Sequence, residues 1–188
     1  MAVAVASAQT STEWLTALNS TLGSRYSMTI SVNMAESEPI VGYFMVDGDS
    51  YYITLGVMEV YSDGKLRHEI NNERKEVTID SVDLSSVDLL TNPTHAFDFV
   101  DDEFSVNIVS SSATEAVLRL VPRDEAMGVT EIVLSLVRDG SAVLPKAITY
   151  DYDGERIDIK LKVANGLERE MPMWDKNEYR GYDIVSFI

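Results

Sequence analysis

An α+β fold made mainly of antiparallel strands is what this sequence predicts, and three observations carry it. Apolar and polar residues alternate over strand-length runs. Asp-Gly and Asn-Gly pairs recur between those runs. Helical spacing appears only near the N-terminus and in one central stretch. The 188 residues suit one domain. A domain of about 150 residues hides roughly 70% of the surface of its unfolded chain, so the core needs no covalent staples.

Residues 1–8 are small and apolar, and Ala6-Ser7-Ala8 fits the A-x-A pattern of signal-peptidase cleavage. The first basic residue is Arg25, so the basic front of a secretion signal is missing. The stretch is read as a residual signal-peptide-like leader, with a single domain over 9–188. Ser11 or Thr12 is placed to cap a helix in which Trp14, Leu15, Leu18 and Leu22 form one apolar stripe and Gly23 is the stop. The period then changes to two. Tyr26, Met28, Ile30, Val32 and Met34 alternate with Ser27, Thr29, Ser31 and Asn33, the pattern of a half-buried strand.

Turn signals follow at Asp47-Gly48, Asp63-Gly64, Asp139-Gly140, Asp153-Gly154 and Asn165-Gly166. Such pairs favour tight hairpins because a type I′ turn needs positive φ at both central residues. A meander of hairpins is therefore expected rather than a parallel sheet. The clearest strand sets Ile157, Ile159, Leu161 and Val163 against Arg156, Asp158, Lys160 and Lys162, one face apolar and one wetted. Residues 83–99 lack this alternation. Ser85 or Ser86 can cap a short helix carrying Val87, Leu89 and Leu90; Asn92-Pro93 breaks it; a second can start there and carry Phe97. A curved sheet with one apolar face and short helices across its mouth can enclose an apolar cavity, the usual setting for a greasy ligand.

Composition narrows the function. Asp plus Glu is 31 against 15 for Lys plus Arg, a net charge of −16. That opposes phosphate backbones and anionic lipid surfaces and favours a basic docking partner. No nucleic-acid partner is expected. The absence of cysteine removes disulfides, thiolate metal sites, Cys nucleophiles and a lipid-modified N-terminal Cys. No apolar run reaches the roughly 20 residues of a membrane helix, so the chain is not expected to be membrane-embedded. His68 and His95 are the only histidines, too few for a histidine metal site, and read as a surface strand residue and a helix polar residue. No Gly-x-Ser-x-Gly elbow or glycine-rich phosphate loop is present. Asp47-Gly48-Asp49 reads as a hairpin turn rather than a calcium loop. Asp98, Asp101, Asp102 and Glu103 form the densest acidic cluster, either a solvated helix end or a patch for a basic partner. With no catalytic constellation, an enzyme is not expected, nor a cofactor or metal. Aromatic and Met residues crowd 43–61, as core packing or as a surface adaptable to variable apolar partners.

An ordered series of short motifs then resembles the LolA family, periplasmic carriers of outer-membrane lipoproteins, and in particular its Bacteroidetes-type branch. Gly42-Tyr-Phe-Met-Val46 resembles the family's glycine-led strand, and Tyr51-Tyr52-Ile53 the aromatic strand after it. Val60-Tyr61-Ser62-Asp63-Gly64-Lys65 resembles its Ser-Asp-Gly-Lys hairpin. Lys75–Ile79 is similar to the next strand, Leu89-Leu90-Thr91-Asn92-Pro93 to the mid-chain helix, and Tyr182–Phe187 to the closing strand. The resemblance implies an incomplete, half-open β-barrel with a helical lid over a hydrophobic cavity. It implies a carrier that takes a lipoprotein's acyl chains from an inner-membrane exporter to an outer-membrane receptor, acting as a monomer and catalysing nothing. Better-known members latch the lid with an Arg in the turn after the glycine-led strand; here that turn is Asp47-Gly48-Asp49, so another residue must latch it or the latch is absent. Alternation and position nominate the acyl cavity: Tyr43, Met45, Tyr51, Ile53 and Met58 from the early strands, Leu89, Leu90 and Phe97 from the lid, and Leu118, Leu120, Leu134, Leu136 and Tyr150 from the later strands. The competing expectation is a periplasmic sensor or regulator on the same fold that binds a lipid or protein signal.

Overall fold

The computed structural model describes residues 9–34, 38–99, 103–124, 127–164 and 170–188. The leader 1–8, the Asn165-Gly166 turn signal, and Asp101 and Asp102 of the acidic cluster lie outside them. Helix α1 (Ser11–Leu22) begins one residue earlier than expected, at the N-cap Thr10. Thr10 Oγ1 accepts the Glu13 amide at 3.2 Å, and the Glu13 carboxylate accepts the Thr10 amide at 2.7 Å. A Thr with Glu three residues on satisfies two orphan donors reciprocally, which is why Thr10 wins over Ser11 and Thr12. Trp14, Leu15, Leu18 and Leu22 are buried, and Gly23 ends the helix at φ +59°.

Two meanders follow. The first comprises β1 (Arg25–Met34), β2 (Ile40–Asp47), β3 (Ser50–Leu55), β4 (Met58–Ser62), β5 (Leu66–Asn71) and β6 (Glu76–Ser81). The second comprises β7 (Phe104–Ser111), β8 (Glu115–Pro122), β9 (Glu131–Asp139), β10 (Ala142–Tyr152) and β11 (Glu155–Ala164). Strands β1 and β11 pair antiparallel, Ile30 opposite Leu161 and Val32 opposite Ile159, and weld the two meanders into one sheet. A last strand, β12 (Asp183–Ser186), joins β6 in parallel. Among the described strands it is the one parallel pairing in a sheet otherwise antiparallel, as the expected mainly antiparallel fold allows. The order is β12-β6-β5-β4-β3-β2-β1-β11-β10-β9-β8-β7. Its two ends do not pair, so the sheet is an unclosed, open barrel with a single short α-helix among the described residues.

The Asp-Gly signals mark hairpins, in two conformations. Between β10 and β11 both Asp153 and Gly154 have positive φ, 56° and 96°, the type I′ pattern. Asp47 and Asp139 are instead the last paired strand residues, and only Gly48 and Gly140 turn to positive φ. Gly42 answers a different need: a Cβ there would stand 2.3 Å from the Thr54 carbonyl oxygen across the β2–β3 pair.

Strand order dictates where the long connections run. Ten strand spacings separate β6 from β7, ~48 Å in a flat sheet, so the chain after Ser81 must cross one whole face. It crosses the face that bears Tyr26, Met28, Ile30, Val32, Ile159 and Leu161. Together with α1 it fills that inner face, contributing Leu89, Ala96, Phe97 and Phe99 to the main core. The connection from β11 to β12 crosses the opposite face. There Met171, Trp174, Tyr179 and Tyr182 cover Met45, Tyr52, Tyr61, Ile70 and Val77 in a second core. The sheet is thus apolar on both sides over its first half and wetted on its outer face over its second. In β11 the apolar residues face the main core, as alternation requires.

Residues 82–99 are a chain of turns and carry no helix, which corrects the expectation of two short lid helices. Their own side chains capture the amides that a helix would use. Asp83 Oδ1 accepts Ser85 N (2.9 Å), Ser86 Oγ accepts Asp88 N (3.2 Å), and Asp88 Oδ1 accepts Leu90 N (2.7 Å) and Thr91 N (3.1 Å). Such local bonds compete directly with helical ones. Asn92, fully buried, donates to the Asp83 carbonyl and accepts from Thr94 Oγ1, which closes the segment on itself.

Candidate functional site, an apolar face under a tied-down segment

Nine of the nominated residues meet in the main core: Tyr51 and Ile53 on β3, Leu118 and Leu120 on β8, Leu134 and Leu136 on β9, Tyr150 on β10, and Leu89 and Phe97 from the crossing segment. Leu90 is half-buried and packs against them. Met58 is half-buried at the end of β4, opposite Leu55. Tyr43 and Met45 are the corrections. They lie in the outer core with Tyr179 and Trp174, because Phe44, not its neighbours, faces inward on β2, and successive strand residues point to opposite faces. The run Tyr43-Phe44-Met45-Val46 is apolar on both sides, so alternation alone could not choose its face.

The inner face is occupied by the protein's own residues, held there by apolar burial and by a set of polar ties. Tyr26 Oη donates to the Pro93 carbonyl at 3.0 Å and Tyr51 Oη to the Thr91 carbonyl at 3.2 Å. Tyr150 Oη accepts the Leu89 amide at 3.0 Å and donates to the Val87 carbonyl at 3.2 Å. Tyr152 Oη donates to Asp88 Oδ2. Arg67, on β5, donates from one guanidinium nitrogen to the carbonyls of Leu90 and Thr91. An arginine therefore does tie down the crossing segment, from β5 rather than from the β2–β3 turn. Burial, reinforced by Asp98 at Tyr26 and by Asp88 at Tyr150, pushes both phenols well above the ordinary tyrosine range. Burial and the Asp88 hydrogen bond do the same to Tyr152. These hydroxyls stay protonated and available as donors.

Beside this segment lies a half-open cleft of about 1130 Å³, above the usual range of roughly 300–1,000 Å³ for small-molecule sites. Its floor is apolar: Val87, Phe99, Val129 and Tyr150, with Met127 at one side. Its mouth is acidic, with Asp98 and Glu103 from the cluster singled out in the sequence joined by Asp83, Asp88 and Asp124. Of the nominated cavity residues only Tyr150 lines it. Val129, Met127 and Tyr152 were missed because they are brought there by a loop and a strand end distant in sequence; the acidic cluster was the signal that could have found the mouth. His95 lines the cleft, exposed, with Nδ1 3.1 Å from Asp98 Oδ2. His68 is elsewhere, and not on open surface: it stacks on Trp174 at 4.7 Å and 18° over the outer core, where burial lowers its pKa. No described helix is long and apolar enough to cross a membrane.

Solved structures match this chain at low sequence identity. An uncharacterized conserved protein from Thermus thermophilus matches with a TM-score of 0.61 at 11% identity, covering 95% of this chain and 99% of that one. A LolA superfamily protein from Nitrosomonas europaea matches at 0.42 and 11% identity, covering 88% and 96%. A domain provisionally assigned to outer membrane lipoprotein sorting, from Vibrio parahaemolyticus, matches at 0.45 and 10% identity, covering 90% and 94%. No family model matches the chain, and no curated protein does.

Proposed function

We propose that this chain is a periplasmic carrier that shields the acyl chains of lipoproteins on the inner face of its sheet, without catalysing a reaction. The observation that carries this reading is the crossing segment 82–99. It covers a continuous apolar face, has no regular secondary structure of its own, and is held to the sheet by tyrosine and arginine side chains bonded to its backbone as well as by its buried apolar residues. Such ties can be exchanged for water when the segment lifts, whereas a strand in the sheet could not leave without breaking a ladder. The exposed face would then stabilise acyl chains by about 0.8 kcal/mol for each buried CH₂, and the cleft beside Tyr150 is where a chain would enter. Opening needs only a ligand that prefers the open form.

By the resemblance of the ordered motifs, the cargo would arrive from an inner-membrane exporter and leave to an outer-membrane receptor, with the carrier monomeric. The test is to mix delipidated protein with a synthetic triacylated lipopeptide and weigh the complex by native mass spectrometry. The expected result is one lipopeptide per chain, with binding cut at least about tenfold in Val129→Glu, which sets a charge on the cleft floor. If no acyl-bearing ligand is retained, while a non-lipidated protein is captured from periplasm and competes with nothing greasy, the carrier reading is wrong and a sensor takes its place.

A further inference from the structure

The mouth of the cleft carries more information than the carrier reading uses. Asp83, Asp88, Asp98, Glu103 and Asp124 stand around it, and among the described lining residues Arg123 is the one guanidinium and no lysine occurs. The donors that satisfy Asp88 and Asp83 are neutral, and Asp98 has His95 Nδ1 3.1 Å away. Asp88 accepts from Tyr152 Oη and from the Leu90 and Thr91 amides; Asp83 accepts from the Ser85 amide and hydroxyl. Neutral donors of that kind satisfy a carboxylate without bringing a countercharge. The negative field therefore sits directly over an apolar floor of Val87, Phe99, Val129 and Tyr150. Low-dielectric walls lined by one sign of charge focus that field into the cleft. An acyl chain admitted when the crossing segment lifts would hold its polar head among the carboxylates, where an anionic head is repelled and an ammonium is paired.

We propose that the cleft is selective for acyl chains joined to a cationic, ammonium-bearing head. This rests on the carrier reading and names its ligand chemistry. Two sources supply such a head: a simple alkylammonium amphiphile, or a lipid-modified peptide with lysines next to its acylated end.

The test is calorimetric titration of the intact chain at low salt with four probes kept below their micelle concentrations: dodecylammonium, dodecanoate, and palmitoylated peptides bearing either four lysines or four glutamates. The cationic member of each pair is expected to bind at least about tenfold more tightly, with the advantage shrinking as salt approaches the physiological Debye length of about 8 Å. The double substitution Asp98→Asn with Glu103→Gln changes only exposed side chains and is expected to shrink the cationic advantage severalfold; an undiminished advantage would overturn the assignment to this mouth. Asp124→Lys, introduced alone, changes the charge of the mouth by the same amount and is expected to shrink the advantage to a similar extent. An advantage confined to the lysine peptide supports the proposal and identifies a peptide source; one confined to dodecylammonium supports it and identifies a small amphiphile. Equal affinities in the unsubstituted chain, or tighter binding of the anionic probes, overturn the head-group selectivity and leave the carrier standing. Failure of all four probes to bind overturns both.

Discussion

Arg67 concentrates several roles in one side chain. It sits on β5, largely shielded, reaches Glu69 at 2.9 Å with one nitrogen, and spans to the Leu90 and Thr91 carbonyls with the other. Only a planar fork of donors can serve a carboxylate and two carbonyls at once. Arg67→Met keeps most of the stem and removes the fork. It is expected to destabilise the fold by about 1–3 kcal/mol, the range for losing hydrogen bonds to a charged group. Amide exchange at 87–92 should accelerate and binding of a hydrophobic dye should rise, while exchange in β8 and β9 stays slow. Unchanged exchange at 87–92 would mean that the tyrosines alone hold the segment. The nominated residues illustrate the same scale from the sequence side. Leu118, Leu120, Leu134 and Leu136 are legible as one face because polar residues separate them; the face of Tyr43 and Met45 is not legible, because nothing polar separates them from Phe44 and Val46.

At the scale of elements, the stretch 170–182 acts as an outer strap. It lays Trp174 flat on His68 and on Tyr179, with Tyr179 Oη and Tyr61 Oη 2.9 Å apart. The strap has no regular structure, so this aromatic stack does what a ladder of backbone bonds does elsewhere. His68 makes it sensitive to acid. Burial sets the folded-state pKa below the ordinary 6.5, so between those values the unfolded chain binds the proton and the folded one does not. Stability is therefore full above about pH 6.5 and falls as pH drops through that window. Melting temperature measured from pH 7 to pH 5, with tryptophan emission as the probe of the strap, is expected to decline more steeply in the unsubstituted chain than in His68→Phe, which keeps a stacking ring without a titrating group. Parallel slopes would assign the decline to carboxylates instead.

For the whole molecule, the net charge of −16 favours solubility and opposes compactness through self-repulsion. Raising monovalent salt from about 0.01 M to about 0.15 M shortens the Debye length from roughly 30 Å to about 8 Å. The melting temperature is expected to rise by a few degrees over that range. A fall would mean that specific ion pairs such as Lys146–Glu115 and Arg119–Glu131 outweigh the overall repulsion. The same charge, gathered at one cleft, is what turns a general apolar face into a site with a preference.

The sequence by itself determined the local geometry. Period-two alternation set which residues of β1 and β11 face the core, Asp-Gly pairs set the hairpins, and the stripe from Trp14 to Leu22 set the helix, because each depends on neighbours within a few residues. Tertiary structure alone decided what the long connections do. Residues 82–99 become a turn-rich cover rather than helices, since Asp83, Ser86 and Asp88 bond nearby amides while Tyr26, Tyr51, Tyr150 and Arg67 from the sheet take up the backbone of the segment. The cleft exists because strand order forces β6 and β7 to opposite ends, so the chain between them must cross the face on which Phe99, Val129 and Tyr150 meet. No local pattern encodes that meeting, which requires residues as far apart in sequence as Phe99 and Tyr150 to be neighbours.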